Sequence, residues 1–289
     1  MIDSTWLDGP FVNSPALTDL SYTVSSRIPH PTPTDLKKPV IIALHGFSAT
    51  PYEWEEFRDV AQAHDDALVS LVLMGGHGRD YKDFKKATWK DWGKPLLEEY
   101  TALVKKGYTN ISIVASSTGG TLVLEYIHSD FFSHLLAPKH LFLIDPLVVF
   151  GDKSIYFLPY FQFFIGDTRQ TNETAEEIKN WYSILPTSAL LQLESLASKV
   201  KNELGDGIIL PAHTSLNVYK STHDQVVDPI SATLIGKGVH ANHASVNVKM
   251  ISSDKHVFTR LHGRKLTTPS DYTIQKSVFE DILRVIHSH

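Results

Sequence analysis

Cysteine is absent from the 289-residue chain. That excludes disulfides, zinc–thiolate sites and thiol nucleophiles, and fits a reducing compartment. Long hydrophobic runs are missing too. The longest, IYFLPYFQFFI (155–165), falls short of the roughly 20 residues that span a bilayer and contains Pro159. No integral membrane segment is expected. Charge is not strongly of one sign: 27 Lys and Arg against 32 Asp and Glu give a net −5. Basic residues are scattered apart from short pairs such as Lys85-Lys86 and Lys105-Lys106, so no nucleic-acid partner is expected. The opening MIDSTWLDGPF has neither a basic n-region nor an apolar h-region. A cytoplasmic location is the expectation, or an undetermined one if a leader has been trimmed. No repeat and no Gly/Ser or Pro linker divides the chain, so a single compact unit is the simpler reading. Nothing indicates an oligomeric state.

What is present is a series of β-branched apolar runs separated by helical patterns. KPVIIALHG (38–46), ALVSLVLMGGHG (67–78), NISIVAS (110–116), HLFLIDPLV (140–148), SLNVYKS (215–221) and SVNVKMIS (245–252) read as strands. Helices are predicted over about 50–63, 88–106, 119–127, 186–203, 229–239 and 269–286. Thr50, Pro51 and Glu53 read as the N-cap, first helical residue and capping-box acid of the first. The last places Ile274, Val278, Ile282 and Ile286 on one buried face. Alternating strands and helices give βαβ units, hence an α/β fold with a mostly parallel sheet and helices on both faces. Functional groups of such sheets collect at the carboxyl ends of the strands. That rule reduces 15 histidines to four: His45, His77, His223 and His256.

The third strand ends in Ser116-Ser117-Thr118-Gly119-Gly120. A nucleophile on a tight strand-to-helix turn needs small residues two before and two after it. Ser117 is framed by Ala115 and Gly119. Ser116 is framed by Val114 and Thr118 and fails on both sides. Thr118 would put a branched side chain on a strained turn. Ser117 is therefore the candidate nucleophile. A serine hydroxyl needs a base, and the base an orienting acid. His256 follows the last strand and Asp224 the one before it. His262 is the alternative base and Asp145, in LIDP, the alternative acid; Asp228, before Pro229, reads as a helix cap. An oxyanion hole calls for backbone N–H donors. Thr118, at a helix start, and Phe47, after the flexible Gly46, are the candidates. His45 and His77 read as residues that fix loops.

Together, LHGFSATPYEW, GGHG, ASSTGG, STHDQVVDP and SDKHVF resemble the α/β-hydrolase superfamily, and more narrowly its bacterial carboxylesterase and monoacylglycerol lipase branch. The resemblance runs from about residue 38 to the end. It implies Ser117 as nucleophile, Asp224 as acid, His256 as base, and Phe47 and Thr118 as oxyanion donors. Two positions depart from the pattern. Ala115 replaces the commoner glycine, and Lys255 precedes the histidine where a glycine is usual. In related enzymes a cap covers the nucleophile, which divides the chain into a core (1–146 and 186–289) and a cap (147–185).

Within that cap, Tyr156, Phe157, Tyr160, Phe161, Phe163 and Phe164 read equally as packing against the core or as the wall of an acyl pocket. Phe157, Phe161 and Phe164 are the substrate-binding candidates. The acidic NETAEEIKNW reads as a solvated helix face. No metal cluster or phosphate loop is seen, so neither metal nor other cofactor is expected. The expected function is hydrolysis of short- to medium-chain carboxylic esters. An amidase or C–C hydrolase with the same residues, or a non-catalytic ligand-binding member of the fold, are the alternatives.

Overall fold

The runs of Val, Ile and Leu pair into a six-stranded sheet: β1 (Val40–Leu44), β2 (Leu68–Val72), β3 (Ile111–Ser116), β4 (His140–Ile144), β5 (Ser215–Ser221) and β6 (Val246–Ile251). The computed structural model describes residues 12–63, 67–161 and 166–288. All pairings in the sheet are parallel, in the spatial order β6-β5-β4-β3-β1-β2. The chain lays β2 on one side of β1 and β3 on the other. The order therefore reverses between β1 and β3, and the crevice at their carboxyl ends is where such sheets bind ligands.

Six longer helices cover the sheet: α1 (Glu55–Ala63), α2 (Trp89–Lys105), α3 (Thr118–His128), α4 (Thr187–Asp206), α5 (Ile230–Gly238) and α6 (Pro269–His287). Side chains alternate along each strand, so each sheet face needs its own cover. Ile42, Leu44, Ile113 and Leu143 share one core with residues of α2, α3, α4 and α5, among them Leu96, Leu122, Leu193 and Ile235. Ile41, Ala43, Val114 and Phe142 share a second core with Phe57 of α1 and with Val278, Phe279, Ile282 and Ile286 of α6. Among the described residues no helix is long and apolar enough to cross a membrane.

The start of α1 departs from the capping-box expectation. The chain enters through a 3₁₀ turn, Pro51–Trp54, and Thr50 makes no side-chain cap bond. Glu53 turns inward and is only 3% exposed. Its carboxyl accepts from Gly46 N–H at 3.0 Å and bonds the Ser116 hydroxyl. Two stronger donors inside outcompete the helix's own first turn.

Between β4 and α4 lie short pieces: a 3₁₀ turn Lys153–Phe157, a helix Leu158–Phe161, the antiparallel pair Thr168–Arg169 with Ile184–Leu185, and a helix Ala175–Asn180. The last of these has a full capping box, Thr174 with Glu177. The acidic stretch is not wholly solvated: Asn180 and Trp181 are buried, and Tyr182, fully buried, stacks on Phe84 at 4.3 Å. Lys153 pairs with Asp228 at 2.7 Å, which ties this segment to the base of α5. Asp228 also accepts from Ile230 N–H at 3.0 Å, the capping role read from its place before Pro229.

Candidate active site

Ser117 sits between β3 and α3 with φ 47° and ψ −118°, a conformation that side chains rarely adopt. The sharp turn folds the chain back on itself, and the small residues around it follow from that. A Cβ on Gly119 would lie 2.7 Å from the carbonyl oxygens of both Leu44 and His45. The Ser117 N–H is used within the sheet, donating to Ile144 O at 2.9 Å. Its hydroxyl is left pointing at the crevice.

The three neighbouring hydroxyls have different surroundings. Ser116 is fully buried; its oxygen accepts from Trp54 Nε1 at 3.1 Å and meets the Glu53 carboxyl. Thr118 Oγ1 is buried without a partner. Ser117 Oγ lies 3.0 Å from His256 Nε2, and His256 Nδ1 lies 2.8 Å from Asp224 Oδ2. The structure thus brings Ser117, His256 and Asp224 together although they come from three separate strand ends. Asp224 Oδ1 accepts from Val226 and Val227 N–H at 2.8 and 3.1 Å, which locks the carboxylate in its turn. Burial alone would raise its pKa. Hydrogen bonds and charge from His256 and Lys220 outweigh burial and hold it well below the usual carboxylate range.

The alternatives, His262 and Asp145, make other hydrogen bonds. His262 is exposed, with its N–H held by Glu56 at 2.7 Å. Asp145, with φ 47°, turns to other donors: Ser221 N–H at 2.7 Å, Val257 N–H at 3.0 Å and Lys220 Nζ at 2.9 Å. Lys220 is itself wholly buried and donates to Asp224 Oδ2 at 2.5 Å. Its importance was not legible in the strand pattern, since a lysine at the end of SLNVYKS reads as a surface residue. Asp145, Asp224 and His256 present ligand atoms within 4.8 Å of one another, the spacing of a cation site. The ammonium bridging the two carboxylates already supplies that positive charge.

His45 and His77 hold loops. His45 Nδ1 donates to Gly46 O at 2.8 Å while Nε2 accepts from Met74 N–H at 3.0 Å, joining the loops after β1 and β2. Burial lowers its pKa to about 3 and that of His77 to about 4, so both stay neutral. His77 packs edge-on among Phe47, Phe84 and Trp92. His223 is exposed. Among the described residues, the N–H groups of Phe47 and Thr118 donate to no other backbone carbonyl.

Ser117 and His256 open onto a cavity of about 690 Å³. Its apolar lining includes Phe47, Leu147, Phe150, Ile155, Leu158 and Leu193, and its polar lining Asp152, Gln170, Asn172, Glu177 and Arg264. Phe157, one of the substrate-binding candidates, is absent from this lining and 60% exposed. The period of the short turn puts Ile155 and Leu158 inward instead. Phe161 closes the helix Leu158–Phe161, but its side chain, and Phe164 as a whole, lie outside the described part of the chain.

No protein-family model matches the chain. A thermostable monoacylglycerol lipase from Bacillus sp. (strain H-257) is 30% identical over 210 residues, covering 71% of this chain and 78% of the relative. Among solved structures, one described with LipS and LipT, two metagenome-derived lipolytic enzymes, superposes with a TM-score of 0.66 at 16% identity. That match covers 87% of this chain and 94% of the other. A soluble variant of monoglyceride lipase from Saccharomyces cerevisiae gives 0.65 at 10% identity, covering 87% of each chain. These structural likenesses bear on the fold.

Proposed function

The chain belongs to the monoacylglycerol lipase-like branch of the α/β-hydrolases and is an ester hydrolase, and from that premise we propose that it cleaves short- to medium-chain acyl esters through Ser117, His256 and Asp224. The observation that carries this reading is the continuous pair of hydrogen bonds, 3.0 and 2.8 Å, at the floor of the cavity.

Ser117 Oγ attacks the ester carbonyl carbon and its proton passes to His256 Nε2. Asp224 keeps Nδ1 protonated and balances the imidazolium. The carbonyl oxygen becomes an oxyanion and receives the N–H groups of Phe47 and Thr118. Collapse of the tetrahedral intermediate breaks the ester C–O bond, and the imidazolium returns its proton to the leaving alcohol. Water, deprotonated by His256, then attacks the acyl-serine and the same steps release the acid. Donors set in advance stabilise the oxyanion by about 3 kcal/mol each.

Residues 147–185 serve in this reading as a cap whose aliphatic side chains, Ile155 and Leu158, meet the acyl chain. The polar lining receives the alcohol. Each methylene buried adds up to about 0.8 kcal/mol until the cavity is full. An optimum near four to eight carbons is expected, an order-of-magnitude figure from that increment. The test is a set of nitrophenyl esters of graded chain length beside the matching anilides. Ester turnover with a medium-chain optimum, lost in His256→Ala, is expected. Anilides cleaved as fast as esters would overturn the ester assignment, and a rise continuing to sixteen carbons the chain-length assignment.

A further inference from the structure

Two acids, not one, stand behind His256, and a lysine joins them. Lys220 Nζ lies 2.5 Å from Asp224 Oδ2 and 2.9 Å from Asp145 Oδ1, with its side chain shut off from solvent. It shares Asp224 Oδ2 with His256 Nδ1, so a positive charge and the imidazole compete for one oxygen atom. Asp145 meanwhile reaches the histidine loop from behind, accepting from Val257 N–H at 3.0 Å. Val257 has φ 54°, a conformation that a β-branched residue adopts only when held there. We propose that Lys220 and Asp145 are positioning residues of the reaction, holding Asp224 as the anion that orients His256 and setting the pH range in which His256 acts as the base. The proposal rests on the reading of Ser117, His256 and Asp224 given above.

The reasoning is a charge count. Asp145, Lys220 and Asp224 sum to one negative charge, as a lone acid would offer an imidazolium. Without the ammonium, two carboxylates face each other in a buried space. Like charges so close do not both stay ionised, and one takes up a proton. A proton on Asp224 disables the orienting acid. Loss of a cation also favours the imidazolium, so both effects push the acid limb of the rate profile to higher pH. Without the Asp145 charge the imbalance reverses. The ammonium cancels Asp224, the imidazolium formed in the transition state has no net counter-charge, and the acid limb moves to lower pH while kcat falls. Removing both together restores one carboxylate facing one imidazole. A purely structural role would instead make the two losses accumulate.

Other charges act on the same groups. Asp228 feels Lys220 and is itself paired with Lys153. Glu53 feels His256, and Arg264 Nη1 donates to His256 O at 3.2 Å. Asp254 and Lys255, beside the histidine, pair with each other at 2.8 Å. All stay in place in the variants below and offset every profile alike.

The experiment measures kcat/KM on nitrophenyl butyrate from pH 5 to 10 for the parent enzyme, Lys220→Met, Asp145→Asn, the double variant and Asp224→Asn. Expected are losses of about tenfold or more at pH 7 in each single Lys220 or Asp145 variant. Their acid limbs should shift in opposite directions by about a unit, and the double variant should return to within about fivefold of the parent. Should Lys220→Met fail to fold, Asp145→Asn and the double variant still carry the comparison. Unmoved limbs, or a double variant as poor as the two single losses multiplied, would overturn the proposal. An inert Asp224→Asn beside a silent Lys220→Met would overturn this proposal alone. Near-parent activity in Asp224→Asn would overturn the assignment of the acid beneath it.

Discussion

At the scale of single residues, the consequential neighbour of Ser117 is Glu53. Its carboxyl joins Gly46 N–H to the Ser116 hydroxyl, and so links the residues preceding Phe47 and Ser117. Burial raises its pKa, and the bond from Ser116 and the charge of Arg264 oppose that rise. Glu53→Ala should leave Gly46 N–H unpaired next to Phe47, the proposed first oxyanion donor. A drop in kcat of about tenfold with little change in KM is expected, corresponding to roughly 1.4 kcal/mol. An unaltered kcat in a folded Glu53→Ala enzyme would show that the loop holds its shape unaided. Ser116→Ala should cost about 1 kcal/mol of stability, read by denaturant unfolding, because Trp54 Nε1 keeps Leu44 O at 3.1 Å. This residue-level wiring was only partly legible in the sequence. Ser117 could be put forward as the candidate because sterics at a tight turn act on immediate neighbours. The roles of Glu53 and Lys220 could not be read, because Ser116 and Asp145 reach them from the ends of other strands and a carboxylate in a first turn ordinarily serves the helix.

At the scale of elements, β1 to β4 were legible because they are buried on both faces, which leaves near-continuous Val, Ile and Leu runs. The exposed edge strand β6 showed instead through its alternation of Val246, Val248 and Met250 with polar residues. The segment between β4 and α4 was harder. Its elements are two to six residues long, too short for a period to declare which side faces in. Six aromatics in nine positions therefore read equally as core packing or as a pocket wall, whereas Phe157 and Tyr160 are 60% and 76% exposed. A paired substitution tests the observed facing. Leu158→Ala should move the acyl-chain optimum by one or two carbons, while Phe157→Ala should leave the profile in place. Measured on the same graded esters, the reverse pattern would mean that the short helix is turned the other way in the working enzyme.

Across the whole molecule, two histidines buried in one aromatic cluster make stability depend on pH. In the unfolded chain each titrates near about 6.5. In the fold, burial holds His77 to about 4 and His45 to about 3. Stability is therefore full above roughly pH 6.5 and is lost as pH falls from there toward those folded values, where the unfolded chain binds protons that the native one refuses. His77→Phe, which keeps the ring among Phe47, Phe84 and Trp92, should flatten the fall of Tm between pH 6.5 and 4; an equally steep fall would place the acid sensitivity elsewhere. The proposed reaction turns on one atom, Ser117 Oγ. The most direct measurement is the site of covalent labelling by a fluorophosphonate, mapped by tandem mass spectrometry in the parent, Ser116→Ala and Ser117→Ala proteins. A single adduct on Ser117 is expected, kept in Ser116→Ala and absent from Ser117→Ala. An adduct on Ser116 or Thr118, or one that survives Ser117→Ala, would contradict the proposed mechanism at its first step.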